Sequence, residues 1–279
     1  MLSLAQPLEA LKHATAVLLF LALPLAAQPL QFRVIQDHVV EARLRAVPTD
    51  NAARAAKLKE LFTASGCAAD ALTTEAVKSS KLPNIICRLP GETEEIILVS
   101  AHFDKVHAGA GAIDNWSGAS LLPSLFQGLA GAENRKHTFL FIGFTDEEKG
   151  LIGSKAWIKA HAKDLLPRVR ALVNIDCVGT GGLNVWTSRS DPKLYAAAVQ
   201  LSNALQLPIR AVNADKVGMT DSFPFKDKKV KTIDFHSLMQ DTLRYLHTID
   251  DQVSKMNIAD YLATYKFLAA YLTLIDGRE

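Results

Sequence analysis

The sequence predicts an α/β fold: a three-layer α/β/α sandwich with a mixed, mostly parallel central sheet. Apolar, strand-like runs alternate with helix-patterned segments, the order expected of a sheet covered on both faces by helices. Clusters of acidic and histidine residues also fall at the ends of those runs or in the loops after them, where open α/β sheets gather ligand groups. A chain of 279 residues with 49% hydrophobic composition has ample material for such a core.

Residues 14–27 form an apolar run preceded by Lys12 and His13, broken by Pro24 and ending in small residues. That is the pattern of an export signal, so residues 1–27 are read as a cleaved signal peptide with Ala27 the last residue removed. The run is shorter than the roughly 20 residues that span a bilayer, so no stable membrane span is expected. Residues 28–279 carry no repeat, low-complexity tract or linker and are read as one domain, exported to the periplasm or beyond.

Within that domain, residues 51–62 are rich in helix formers with spaced Leu58, Leu61 and Phe62, predicting an amphipathic helix that ends near Gly66. Residues 84–89 and 95–100 read as two strands joined by a turn at Pro90–Gly91. Residues 117–129 follow as helix, 137–144 as a buried strand and 151–162 as helix. Strands are then expected at 169–177 and 184–187, a helix at 192–205, a strand at 229–235 and a closing helix at 258–275. Cys67, after the first helix, and Cys87, in a strand, could pair in an oxidising compartment, whereas Cys177 reads as a small buried hydrophobe.

The net charge of +2 comes from intermixed acids and bases, with no basic stripe, which argues against nucleic acid as a partner. Chemistry is carried elsewhere. His102 and Asp104 are two apart, so in extended backbone they face one side. They read as a metal ligand with the carboxylate that fixes its tautomer, or as a hydrogen-bonded pair in a loop. Asp114 follows Gly109, Gly111 and Ala112 and precedes a helix start, where either Asp114 or Asn115 could serve as a cap. Asp146, Glu147 and Glu148 follow a buried strand. They suit the first turn of a helix, or else Glu148 binds metal while Glu147 acts as general base. Asp176 ends an apolar run in which an unpaired carboxylate is expensive to bury, favouring a cation partner. His247 lies just before the last helix, and Asp251 near it is a partner of the site or a helix cap.

Considered together, these residues specify a two-ion site. His102, Asp114 and Asp176 would hold one Zn2+, and Asp114, Glu148 and His247 the other, with Asp114 shared. Three ligand carboxylates and Glu147 would balance two divalent cations, which can polarise a carbonyl and activate water.

The segments His102-Phe103-Asp104, 111–118, 146–154, 174–176 and 247–251 are similar, in order, to the motifs of the di-zinc exopeptidase family that includes secreted bacterial leucine aminopeptidases, metallopeptidase family twenty-eight. The resemblance implies a phosphorylase/peptidase-like sandwich, the ligand roles above, two Zn2+ ions, and Glu147 and Asp104 as the catalytic pair of carboxylates. It also implies a cis peptide between Asp114 and Asn115 and a peptide substrate with a free N-terminus. The oligomeric state stays open.

The chain departs from the family pattern between Val217 and Phe225. Ser222 stands where histidine is usual, and Val217 falls near the place of a tyrosine that some relatives use on the scissile carbonyl. Met219, Phe223 and Phe225 could line a pocket for an apolar side chain or belong to the core, with Tyr245 a further candidate for the rim. Two other readings compete: a glutaminyl-peptide cyclotransferase of the same superfamily, and a non-catalytic binding module on the same fold. Gly179-Thr180-Gly181-Gly182 is followed by a strand pattern rather than a helix, which excludes a phosphate-binding loop. A Gly-x-Ser-x-Gly elbow is absent, which excludes a serine hydrolase of that type.

Overall fold

A computed structural model of the chain describes residues 30–132 and 134–277. The expected signal segment lies outside these residues. Eight strands form one sheet in the order β1-β2-β4-β3-β5-β8-β6-β7. They are β1 (Leu72–Glu75), β2 (Asn84–Leu89), β3 (Ile96–His102), β4 (Thr138–Phe144), β5 (Val169–Ile175), β6 (Asn184–Val185), β7 (Arg210–Ala211) and β8 (Thr232–His236). The central run β4-β3-β5-β8 is parallel, while β1, β2 and the β6–β8 contact are antiparallel, so the sheet is mixed with a parallel centre.

Among the described residues seven α-helices flank it: α1 (Asp37–Arg45), α2 (Asn51–Ala64), α3 (Ser117–Ala130), α4 (Ile152–Ala160), α5 (Pro192–Leu205), α6 (Phe223–Asp227) and α7 (Ile258–Asp276). The strands sort their side chains by alternation. Ile97, Val99 and Ala101 of β3 enter a core shared with α1, α2, α3, α5 and α7. Ile96 and Leu98 enter a second core, with Trp157 of α4 and Phe225 of α6. Among the described residues no helix is long and apolar enough to cross a membrane.

The strands expected at 84–89 and 95–100 form as β2 and β3, and the turn between them joins strands that are not sheet neighbours, because β4 lies between them. The helix expected at 151–162 begins one residue later, since Leu151 takes a left-handed φ of 61°. β1, β7, α1 and α6 carry little sequence signal. β1 is a half-exposed edge strand, β7 has two residues, and α6 has five residues with Pro224 in its first turn.

Cys67 and Cys87 form a disulfide that ties the segment after α2 to β2 across a Cα–Cα distance of 6.3 Å. Closing that loop restricts the unfolded chain. Replacing both cysteines by alanine is expected to lower stability by about 2–4 kcal/mol, measured by denaturant melts. A loss of less than about 0.5 kcal/mol would show that the bridge does not hold this edge of the sheet.

Candidate metal centre

All seven residues singled out in the sequence converge at the carboxyl ends of the parallel strands. His102 is the last residue of β3, Asp176 follows β5, and Glu147 and Glu148 lie between β4 and α4. Asp114 sits in the turn Ala112–Trp116 that opens α3, and its bond to Asn115 is cis. His247 arrives on the loop before α7, with φ 58°.

Asp114 is central to the cluster. Its Oδ1 lies 3.2 Å from His102 Nε2 and its Oδ2 lies 3.2 Å from His247 Nε2. His102 Nε2 is also 3.4 Å from Asp176 Oδ1, and His247 Nε2 is 3.0 Å from Glu148 Oε2. Two triads result, His102–Asp114–Asp176 and Asp114–Glu148–His247, each with ligand atoms within 4.8 Å of one another. For ligand bonds of about 2.0–2.1 Å in a tetrahedron, neighbouring ligand atoms sit roughly 3.3–3.4 Å apart, so the observed separations suit zinc.

Hydrogen-bond chemistry supports the same fit. His102 Nδ1 donates to the Asp104 carbonyl at 3.2 Å, which leaves Nε2 facing the Asp114 and Asp176 carboxylates. Carboxylates so placed call for positive charge beside them, either a proton on Nε2 or a metal ion that Nε2 ligates. Glu148 Oε1 is buried with no hydrogen-bond partner among the described residues.

The surroundings hold each residue in place. Asp251 Oδ1 accepts from the Ile113 N–H at 2.6 Å, and its Oδ2 accepts from that of Asp114 at 3.3 Å. Asn115 Oδ1 accepts from the N–H groups of Gly118 at 2.9 Å and Cys177 at 3.1 Å, and its Nδ2 donates to Ile175 at 2.9 Å. The loops of Asp114 and Asp176 are thereby tied together. Thr220 Oγ1 donates to Asp176 Oδ2 at 2.7 Å and accepts from Asn174 Nδ2 at 2.6 Å. Asp104 differs from expectation in detail. Its Oδ1 is 3.6 Å from His102 Nδ1, too long for a good hydrogen bond, and its carboxylate instead accepts the N–H groups of Glu147 at 3.0 Å and Glu148 at 3.3 Å.

One residue escaped the sequence reading. Arg54 of α2 is fully buried and donates to the carbonyls of Phe103 at 3.0 Å and of Ala110 and Gly111 at 2.6 Å. It fixes the ends of the loop between His102 and Asp114. Gly111 has φ 64°, and a Cβ there would strike the Arg54 guanidinium. Arg54 sits in a helix pattern, where its charge reads as a solvated face.

Crowded carboxylates distort the acid–base behaviour of the site. Burial pushes the Glu147 carboxyl up to about 10, reinforced by Asp221, Asp176 and Asp114 against the opposing His102. Burial and Asp114 bring Glu148 to about 7. Burial disfavours charge on Asp114, yet hydrogen bonds from His102 and His247 prevail and hold it below the usual carboxylate range. His247 rises to about 9, chiefly through its hydrogen bond to Asp114.

Beside the cluster lies a cavity of 270 Å³, walled in part by Trp186, Val217, Met219, Leu238 and Leu246. Of the pocket candidates, Met219 lines the wall, while the core alternative holds for Phe225. Phe225 is fully buried against Phe144 and Trp157, Phe223 packs on Trp186 and under Arg189, and Tyr245 lies outside the wall beside Arg244 and Lys255. Ser222 points inward, donating to Asp234 Oδ2 at 2.7 Å.

The sequence profile of Peptidase family M28 matches residues 84–272, well over half of the chain. The chain belongs to this metallopeptidase family. Its relatives include aminopeptidase YwaD of Bacillus subtilis, 26% identical over 176 residues, covering 58% of this chain and 37% of that protein. This chain spans about a third of the length of the first curated relatives it matches. Among solved structures, BSAP, a zinc aminopeptidase from Bacillus subtilis, matches with a TM-score of 0.62 at 22% identity, over 68% of this chain and 49% of that one. A glutaminyl cyclase from an Acidobacteriales bacterium matches with a TM-score of 0.74 at 17% identity, over 92% of this chain and 99% of that one.

Asp221 and Asp234 are buried and raised to about 7, in both cases first by burial. Each binds its proton more tightly folded than unfolded, so its contribution to stability falls as pH rises from about 4 through 7. Chelator-treated protein is therefore expected to melt at lower temperature at pH 8 than at pH 5. An apoprotein melting temperature that climbs steadily over that range would contradict the assignment of these acids as buried and underpaired.

Proposed function

We propose that this chain is a zinc-dependent exopeptidase that hydrolyses the first peptide bond of substrates with a free N-terminus. The observation that carries the reading is the Asp114 carboxylate, whose two oxygens face two separate triads. His102 and Asp176 would hold one ion and Glu148 and His247 the other, with Asp114 common to both. Two such ions, when bound, supply Lewis acidity toward the scissile carbonyl and acidify the attacking water.

The chain's own residues supply the proton transfers. Glu147 lines the same cavity as the ligands and is half-buried beside them. Cations held by the two triads would offset the burial and carboxylate crowding that keep its proton on, so that the ionised carboxylate takes a proton from the attacking water as oxygen bonds to the carbonyl carbon. It then delivers that proton to the leaving nitrogen as the peptide C–N bond breaks. Asp104 positions Glu147 by accepting its backbone N–H. The apolar wall of Trp186, Val217 and Met219 excludes water and packs against the first side chain of the substrate. Export fits the Cys67–Cys87 disulfide, since such bonds persist in oxidising compartments.

A second reading, cyclisation of an N-terminal glutamine with release of ammonia, draws on the cyclase likeness, which covers nearly the whole of both chains. Assay of aminoacyl, N-blocked and N-terminal glutaminyl peptides, with and without chelator, separates the two. Release of free amino acid from unblocked peptides alone, lost on chelation, is the expected result. Ammonia release with a blocked product supports the cyclase, and inactivity on every peptide supports a binding module. Glu147→Gln is expected to retain its metal and lose about 10²–10⁴-fold in kcat; an unchanged kcat would remove Glu147 from the mechanism.

A further inference from the structure

Helix α2 lies before residues 84–272, the stretch that the family profile matches. It nevertheless reaches the metal centre. Its first turn holds the loop that runs from Phe103 to Gly111, between the ligands His102 and Asp114. Asn51 Nδ2 donates to the Lys105 carbonyl at 3.2 Å, and Asn51 Oδ1 accepts from the Lys105 N–H at 3.0 Å. Arg54 bonds both ends of the loop, one nitrogen on Phe103 and the other on Ala110 and Gly111. From the far side, the Asp251 carbonyl accepts from the Ala110 N–H at 2.9 Å. The loop is thus clasped between α2 and the segment that carries His247.

A guanidinium is an expensive way to hold backbone here. Arg54 is fully buried, and among the described residues it forms no ion pair, since all its hydrogen bonds end on carbonyls of this one loop. A buried cation without an ion-paired carboxylate is costly. Burial lowers the Arg54 guanidinium to about 10, and the charges that oppose this belong to the site itself, Asp251 and Asp114 first.

We propose that α2 is part of the metal centre, with Arg54 a positioning residue that sets where Asp114 sits relative to His102 and so the affinity of the chain for both ions. This rests on the two-ion reading above. Charge and placement have opposite signs here, which separates them. A fixed positive charge beside the site repels an incoming cation, so if charge alone mattered, removing Arg54 would tighten zinc binding. As a positioning residue, Arg54 holds the ligands in place before the ions arrive, and its removal weakens binding.

Calorimetric titration of the full, chelator-treated chain with Zn2+ tests the proposal in the wild type and three variants. Arg54→Met is expected to weaken binding by about 10- to 100-fold. Arg54→Lys keeps the charge and can reach some of the carbonyls but lacks the planar fork. It is expected to fall between the two, and tests the same point if Arg54→Met does not fold. Arg43 of α1 is the matched control, 7% exposed, with side-chain bonds that end on α3 at Ser124 (3.0 Å) and Gln127 (2.7 Å). Arg43→Met is expected to lower the melting temperature and leave zinc affinity unchanged. Wild-type or tighter affinity in the folded Arg54 variants, beside a wild type that takes two ions, overturns this inference and leaves the two-ion reading standing. Equal weakening in Arg43→Met does the same. A wild type that takes no zinc overturns both.

Discussion

Asp114 is the constraint on which the rest of the site depends. One carboxylate must present its two oxygens to two histidines that arrive from opposite ends of the chain, His102 at the end of β3 and His247 just before α7. That demand explains why the turn Ala112–Trp116 is held so tightly. Asp251 fixes its backbone from the carboxyl-terminal side, and Asn115 links it to the strand end at Ile175. Arg54 anchors the loop leading into it. Partners that orient ligands commonly matter to metal affinity almost as much as the ligands do.

The scaffold and the chemistry meet through the parallel strands. β3, β4 and β5 lie side by side, so their carboxyl ends deliver His102, the Glu147–Glu148 pair and Asp176 to one place. Left-handed backbone recurs in these loops, at Asp146 (φ 52°), Leu151 (φ 61°), Cys177 (φ 57°) and His247 (φ 58°). Non-glycine residues avoid that region by roughly 1–2 kcal/mol each. Concentrating it here is consistent with loops shaped for side-chain placement over backbone comfort.

Much of this was legible in the sequence. The central strands carry long apolar runs, and the site residues interrupt or follow them with charge that a core does not tolerate alone. What stayed hidden depends on contacts distant in sequence. Arg54 acts through carbonyls at Phe103 and Gly111, and no local pattern announces it. Phe223 and Phe225 stayed undecided for a related reason: an apolar residue beside a functional motif has the same composition whether it faces a pocket or the core, and here α6 turns Phe225 inward. Short edge elements such as β1 and β7 owe their pairing to neighbours already in place, so their own residues say little.

The central claim is that a single carboxylate serves two ions, and metal stoichiometry tests it most directly. Purified wild-type chain and Asp114→Asn, each loaded with Zn2+, dialysed and measured by elemental analysis, give the decisive comparison. The account predicts two ions per chain for the wild type and fewer than one for Asp114→Asn, because both triads lose a ligand. Retention of two ions by Asp114→Asn, or a wild type that never binds more than one, would contradict it.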